Sequence, residues 1–181
     1  MKQKIFILLC TIGICISVHA KKYIVHSPDN KIKVSITADK QLIWSIDYNG
    51  ERILTPSAIQ MNIEGLKIQP GINPVVINAK VDKINAEQIA VVPVKQKTIR
   101  DQYTQLTLIC KGDYNIIFRV YNNGAAYRFE TVLKQSPIIV NSETVELNLI
   151  DGCKAYWPRE KNQEYITHCE AIFDELKLES L

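Results

Sequence analysis

Apolar and polar side chains alternate along most of this chain with the two-residue period of a half-buried β-strand. Over residues 31–37, Ile32, Val34 and Ile36 fall on one face, and Lys31, Lys33, Ser35 and Thr37 on the other. Leu42, Trp44, Ile46 and Tyr48 repeat the pattern. Asn49-Gly50 then supplies a strong two-residue hairpin signal, and Glu51-Arg52-Ile53-Leu54 starts a return strand. Residues 23–26 form an earlier strand, separated by the turn sequence Ser27-Pro28-Asp29-Asn30. A β-meander is therefore expected at the start.

Residues 58–94 are aliphatic and punctuated by Gly65, Pro70, Gly71, Pro74 and Pro93. Short strands are expected near 58–63, 74–84 and 88–92, and another over 102–111. The clearest local signal is a hairpin: a strand over 114–121, a tight turn at Asn122-Asn123-Gly124, and its partner over 125–132. Residues 138–141 and 144–149 add two strands. After Asp151-Gly152 the character changes, with an aromatic Ala155-Tyr156-Trp157-Pro158, a polar 159–163 and a tail at 164–181 poor in turn residues. Little helix is expected. Short strands at regular spacing point to an all-β sandwich or barrel.

The first twenty residues stand apart. Lys2 and Lys4 precede an apolar run over 5–18, and Val18-His19-Ala20 suits cleavage after Ala20. This is the layout of a secretory signal peptide, so 1–20 is expected to be removed and the chain exported to the periplasm or outside the cell. The run is shorter than the roughly 20 residues of a bilayer span, which argues against an anchor. Cys10 and Cys15 leave a lipoprotein signal open, though neither has the usual small residues before it. No later run is long enough to span a membrane.

The formal charge is +3, from 22 Lys and Arg against 19 Asp and Glu; losing Lys2 and Lys4 lowers it to +1. That balance gives no electrostatic reason for nucleic acid or an anionic membrane as partner. Cys110, Cys153 and Cys169 would remain, an odd number without a CxxC pair, which speaks against zinc or a disulfide scaffold. Cys110 reads as a small buried apolar residue. A Cys153–Cys169 bridge stays open in an oxidising compartment.

The chain carries no Gly-rich phosphate loop, HExxH, GxSxG or EF-hand pattern. His26 and His168 are its only histidines after residue 20, and His26, beside a turn, is expected at the surface. Cys169 neighbours His168, but adjacent side chains on a strand point to opposite faces, so they make a poor dyad. Thr167-His168-Cys169-Glu170 follows closely on Tyr156-Trp157-Pro158. Rings and carboxylates together suit a sugar or a hard cation, although a tryptophan is more often a packing anchor and a glutamate more often solvated.

Four stretches carry a family resemblance. They are Ser27-Pro28-Asp29-Asn30-Lys31-Ile32-Lys33-Val34, residues 43–52 with their Tyr-Asn-Gly turn, the block from Phe118 to Phe129, and Ala155-Tyr156-Trp157-Pro158 with Thr167-His168-Cys169-Glu170 and Phe173. In this order they resemble the N-terminal domain of glycoside hydrolase family 97. The resemblance implies a β-supersandwich similar to galactose mutarotase over residues 21–160. It implies that 161–181 starts a linker toward a (β/α)8 catalytic barrel absent from this chain. Members are similar to calcium-dependent α-glucosidases or α-galactosidases, inverting or retaining through carboxylates of the barrel.

One residue is carried over. The family's N-terminal domain lends a glutamate to calcium from a motif of small residue, His or polar, aromatic, Glu, two residues, aromatic. Thr167-His168-Cys169-Glu170-Ala171-Ile172-Phe173 matches it except that Cys169 replaces the aromatic, so the resemblance assigns Glu170 as metal ligand, with Glu164 as the shifted alternative. The implied partners are α-linked glucosides or galactosides and the barrel itself. This chain alone is expected to be inactive. A stand-alone carbohydrate-binding sandwich of the cell envelope is the competing expectation.

Overall fold

A computed structural model describes residues 20–134, 137–158 and 173–177. It is all-β and antiparallel, and no helix occurs among the described residues. Nor, therefore, is there a helix there long and apolar enough to cross a membrane.

The first sheet begins with β1 (Lys21–His26), β2 (Ile32–Ala38), β3 (Leu42–Tyr48) and β4 (Glu51–Ile63). The second holds β5 (Val76–Ile89), β6 (Thr98–Cys110), β7 (Tyr114–Tyr121) and β8 (Gly124–Thr131). The chain then returns, and β9 (Val140–Val145) completes the first sheet in the order β1-β2-β3-β4-β9. β10 (Lys154–Pro158) and β11 (Phe173–Lys177) form a separate ribbon.

The two large sheets pack face to face. Val34 and Ile36 from β2, Leu42 and Trp44 from β3, and Leu108, Ile116, Phe118 and Val120 from the facing sheet share one buried cluster. Burial of this apolar surface is the main stabilising term. An aromatic group fastens the layers: Trp44 meets Tyr127 edge-on at 5.5 Å and Phe118 at 6.2 Å, and Tyr127 meets Phe129 at 5.8 Å. The Tyr127 hydroxyl donates to Glu143 Oε1 at 3.1 Å, joining β8 to β9. Burial of the ring, and then that acceptor, raises the phenol pKa.

Several expectations are corrected. The strands expected at the two ends of 51–63 are one strand, because Pro56 sits in a bulge: Trp44 pairs with Ser57 and Ile46 with Leu54. A bulge needs no ladder bond from the proline. Residues 76–89 are likewise a single strand, since β6 pairs with it from end to end and carries it through Asn85 without a turn. Gly124 is the first residue of β8, paired with Tyr121, so the turn is Asn122-Asn123 alone. The two strands expected across 138–149 reduce to β9 and a single bridge, Leu54 to Leu149. Tyr48, expected on the core face, is exposed at the hairpin end, while Asp47 is buried. The Asn49-Gly50 turn does hold, with φ of 50° and 88°. Cys110 is buried and His26 exposed, as expected.

Candidate functional site

Three parts of the described surface carry chemistry. The first is the ribbon. Lys154 pairs with Lys177, and Pro158 with Phe173, so β10 and β11 flank the intervening 159–172. Glu164, His168, Cys169 and Glu170 all lie in that segment, outside the described residues. The structure brings Tyr156 and Phe173 onto the ribbon, and both rings are mostly exposed, at 68% and 60%. It also shows a carboxylate that sequence reasoning missed. Glu175 accepts from the Tyr156 hydroxyl at 2.8 Å and from the Lys154 ammonium. The Lys154 hydrogen bond, then that of Tyr156, lowers the Glu175 pKa, and Glu175 in turn raises that of Tyr156. The signal was available only as a cross-strand pairing, Tyr156 with Glu175.

Calcium takes six to eight oxygen ligands. Among the described residues no three His, Cys, Asp or Glu side chains cluster in a way that could hold a metal. Glu175 is already committed to two donors. The described residues therefore do not by themselves make a calcium site.

The second part joins two of the sequence stretches singled out above. Ser27 donates to Asp29 Oδ1 at 2.6 Å and accepts from the Ile32 amide at 3.0 Å, closing the β1–β2 turn. The Asp29 amide then donates to Asn122 Oδ1 at 3.1 Å, so this turn leans on the β7–β8 hairpin 93 positions away. The Ser27 hydrogen bond is the main reason the Asp29 carboxyl titrates low.

The third part is a polar strip on the outer face of the five-stranded sheet. Asp47 is 4% exposed and bonded by Lys33 Nζ at 2.6 Å and Arg52 Nε at 2.5 Å. Burial would raise its pKa, but the Lys33 hydrogen bond and the charges of Arg52 and Lys33 together outweigh that and lower it. Beside this triad lies a cavity of about 260 Å³ over β1 to β4. Sequence alternation placed Ser35 and Asp47 on a solvent face and missed their burial.

Two packed antiparallel sheets with a terminal ribbon define the class: an all-β sandwich module. Its ribbon presents aromatic side chains, and its described residues form no metal cluster. The chain belongs to the glycosyl-hydrolase 97 N-terminal family, whose pattern matches residues 25–181. A retaining α-galactosidase of Bacteroides thetaiotaomicron is 35% identical over 133 residues, 71% of this chain and 19% of that protein. A glycoside hydrolase family 97 enzyme from Pseudoalteromonas sp. strain K8, solved with acarbose, superposes with a TM-score of 0.64. It is 20% identical, over 75% of this chain and 22% of that one. A β-arabinopyranosidase crystal structure superposes with a TM-score of 0.57, at 23% identity over 70% and 20% of the two chains. This chain thus spans about a fifth of the length of the relatives it matches.

Proposed function

We propose that this chain is the N-terminal β-sandwich part of a calcium-dependent, exo-acting α-glycoside hydrolase, an α-glucosidase or α-galactosidase. It supports an active site whose catalytic acids belong to a barrel domain, and it donates one metal-ligand carboxylate, Glu170. The family match over residues 25–181 carries this reading. The exposed Tyr156 and Phe173 rings favour it over a self-sufficient carbohydrate-binding sandwich, because apolar side chains bared together suit a surface that another domain covers.

Export to the periplasm or cell exterior belongs to the same reading and rests on the 1–20 segment. So does the division into a sandwich over 21–160 and a connecting segment over 161–181. The family match itself continues to residue 181, and β11 lies within that segment.

Any calcium would be held by Glu170 together with oxygens from the barrel, since one carboxylate cannot complete the shell. A bound ion would supply positive charge as a Lewis acid. What this chain contributes is one carboxylate, Glu170, from the segment between β10 and β11. A chimera tests this: residues 21–181 replace the matching segment of the Bacteroides α-galactosidase. Calcium-dependent turnover of nitrophenyl galactoside is expected, with Glu170→Gln raising the calcium concentration for half-activation about tenfold or more. An active chimera whose calcium dependence is unmoved by Glu170→Gln would refute the ligand assignment. The isolated chain is expected to show no micromolar calcium binding by calorimetry.

A further inference from the structure

The cavity on the outer face of the five-stranded sheet is not the ribbon surface just discussed, and its own residues indicate a ligand. Six of them matter: Lys22 on β1, Ser35 and Thr37 on β2, Ser45 on β3, and Arg52 and Pro56 on β4. Cross-strand register stacks them, with Lys22 opposite Thr37 and Ser35 opposite Ser45. The bulge at Thr55-Pro56 opens the sheet directly opposite Ser45. This bulge is held in place: the Thr55 amide and hydroxyl both donate to the Asn148 carbonyl, and Ser57 Oγ accepts from the Asn148 amide. Bulges of this kind re-aim side chains beside binding sites.

Donor groups here exceed what the protein uses. Ser35 and Ser45 are largely buried, at 9% and 7% exposure, yet neither hydroxyl, nor that of Thr37, makes a side-chain hydrogen bond among the described residues. Their oxygens still reach the solvent of the cavity, so these hydroxyls are free to donate to a bound acceptor. Lys22 has no ion pair among the described residues. Arg52 holds Asp47 through its Nε, and a guanidinium has further N–H donors to offer a ligand. Lys33 and Arg52 share the single anion Asp47, and Lys22 adds a further positive charge on this face.

Shape and lining narrow the ligand. The cavity is smaller than the roughly 300–1,000 Å³ of a pocket for a large organic ligand. Neutral sugars favour an aromatic platform, and the one aromatic residue lining this cavity, Trp44, is 5% exposed with its ring packed into the core against Phe118 and Tyr127. Cations and hydroxyls without a ring suit an oxyanion.

We propose that this cavity is an oxyanion subsite, which takes the carboxylate or sulfate group of an acidic glycan. Lys22 and the terminal guanidinium of Arg52 supply charge, and Ser35, Thr37 and Ser45 donate hydroxyl hydrogens. Its residues all come from β1 to β4, none from β10, β11 or the segment between them.

The test is calorimetric titration of the full chain at constant ionic strength with sodium sulfate, sodium glucuronate and methyl α-glucoside. Saturable binding of at least one anion is expected, with none of methyl α-glucoside. Tighter sulfate binding assigns a sulfated ligand, and tighter glucuronate binding an uronate. Lys22→Met should weaken the anion about fivefold or more without moving the melting temperature, and Ser45→Ala about threefold. Binding heats indistinguishable from those of chloride would overturn the proposal, as would unchanged affinity in Lys22→Met or comparable binding of methyl α-glucoside.

Discussion

Replacing Asp47 by asparagine keeps the shape of the side chain and removes its charge. The carboxylate is buried and bridges Lys33 and Arg52 at 2.6 and 2.5 Å. Hydrogen bonds to charged groups contribute about 1.5–3 kcal/mol each. Removing one partner of a fully buried pair costs about 3–5 kcal/mol. Here the two cations are only half enclosed, with side chains 40% and 41% exposed, so both regain water when released. Asparagine also retains one acceptor. The expected loss is therefore about 2 kcal/mol at neutral pH, below the sum of two intact bonds. For a chain of this size that lowers the melting temperature by about 4–8 °C.

The pH dependence follows from the direction of the shift. Asp47 titrates below its ordinary value of 3.8 when folded, so the unfolded chain binds its proton more readily. Its contribution is fully present above the unfolded pKa and disappears as pH falls through the folded one. Urea unfolding followed by tryptophan fluorescence, at about pH 7 and then stepwise below about pH 4, reads both quantities. The gap between wild type and Asp47→Asn should narrow only in the acid range. A gap under about 0.5 kcal/mol at neutral pH, or one that stays constant into acid, would refute the reasoning.

Gly71→Ala should be severely destabilising, because φ is +83° and a Cβ there would lie 2.3 Å from the Ile59 carbonyl oxygen; Gly50→Ala, at φ +88° with open space around it, should cost only about 1–2 kcal/mol by the same urea assay. Phe118→Ala removes a ring 1% exposed between Trp44 and Tyr127, and should cost about 3–5 kcal/mol in calorimetric unfolding. The Cys110 thiol is pushed up to about 11 by burial, so iodoacetamide at about pH 8 should label half-buried Cys153 well before Cys110, as read by peptide mass spectrometry.

Much of the architecture could be read from local pattern. The alternation at 31–37 and 42–48, the Asn49-Gly50 hairpin and the 114–132 hairpin are short-range features, and each appears as a strand or turn close to where it was expected. What failed was non-local. The strands expected from 51 and over 58–63 join into one only through a bulge at Pro56, which the partner strand reveals. Ser35, Ser45 and Asp47 read as solvent-facing until Lys33 and Arg52 fold across them. Tyr48 reads as core until the hairpin end carries it past the sandwich. For the ribbon, Tyr156 and Trp157 were noticed as aromatic, but the Lys154–Tyr156–Glu175 contacts depend on a register that no local pattern shows. The assigned ligands Glu170 and Glu164 came from resemblance, and they lie outside the described residues.

The return of β9 to the first sheet has a consequence for how this chain is made. Ala58 of β4 bonds to Glu146, 88 positions later, and the whole second sheet is synthesised between them. Until that length has emerged, the outer border of β4 has backbone donors and acceptors with nothing to meet. An open strand border is a template for any neighbouring chain, and distant pairings close slowly. The hazard therefore peaks while the polypeptide is partly delivered. Slowing delivery between residues 63 and 140 should raise aggregation more than slowing it anywhere earlier.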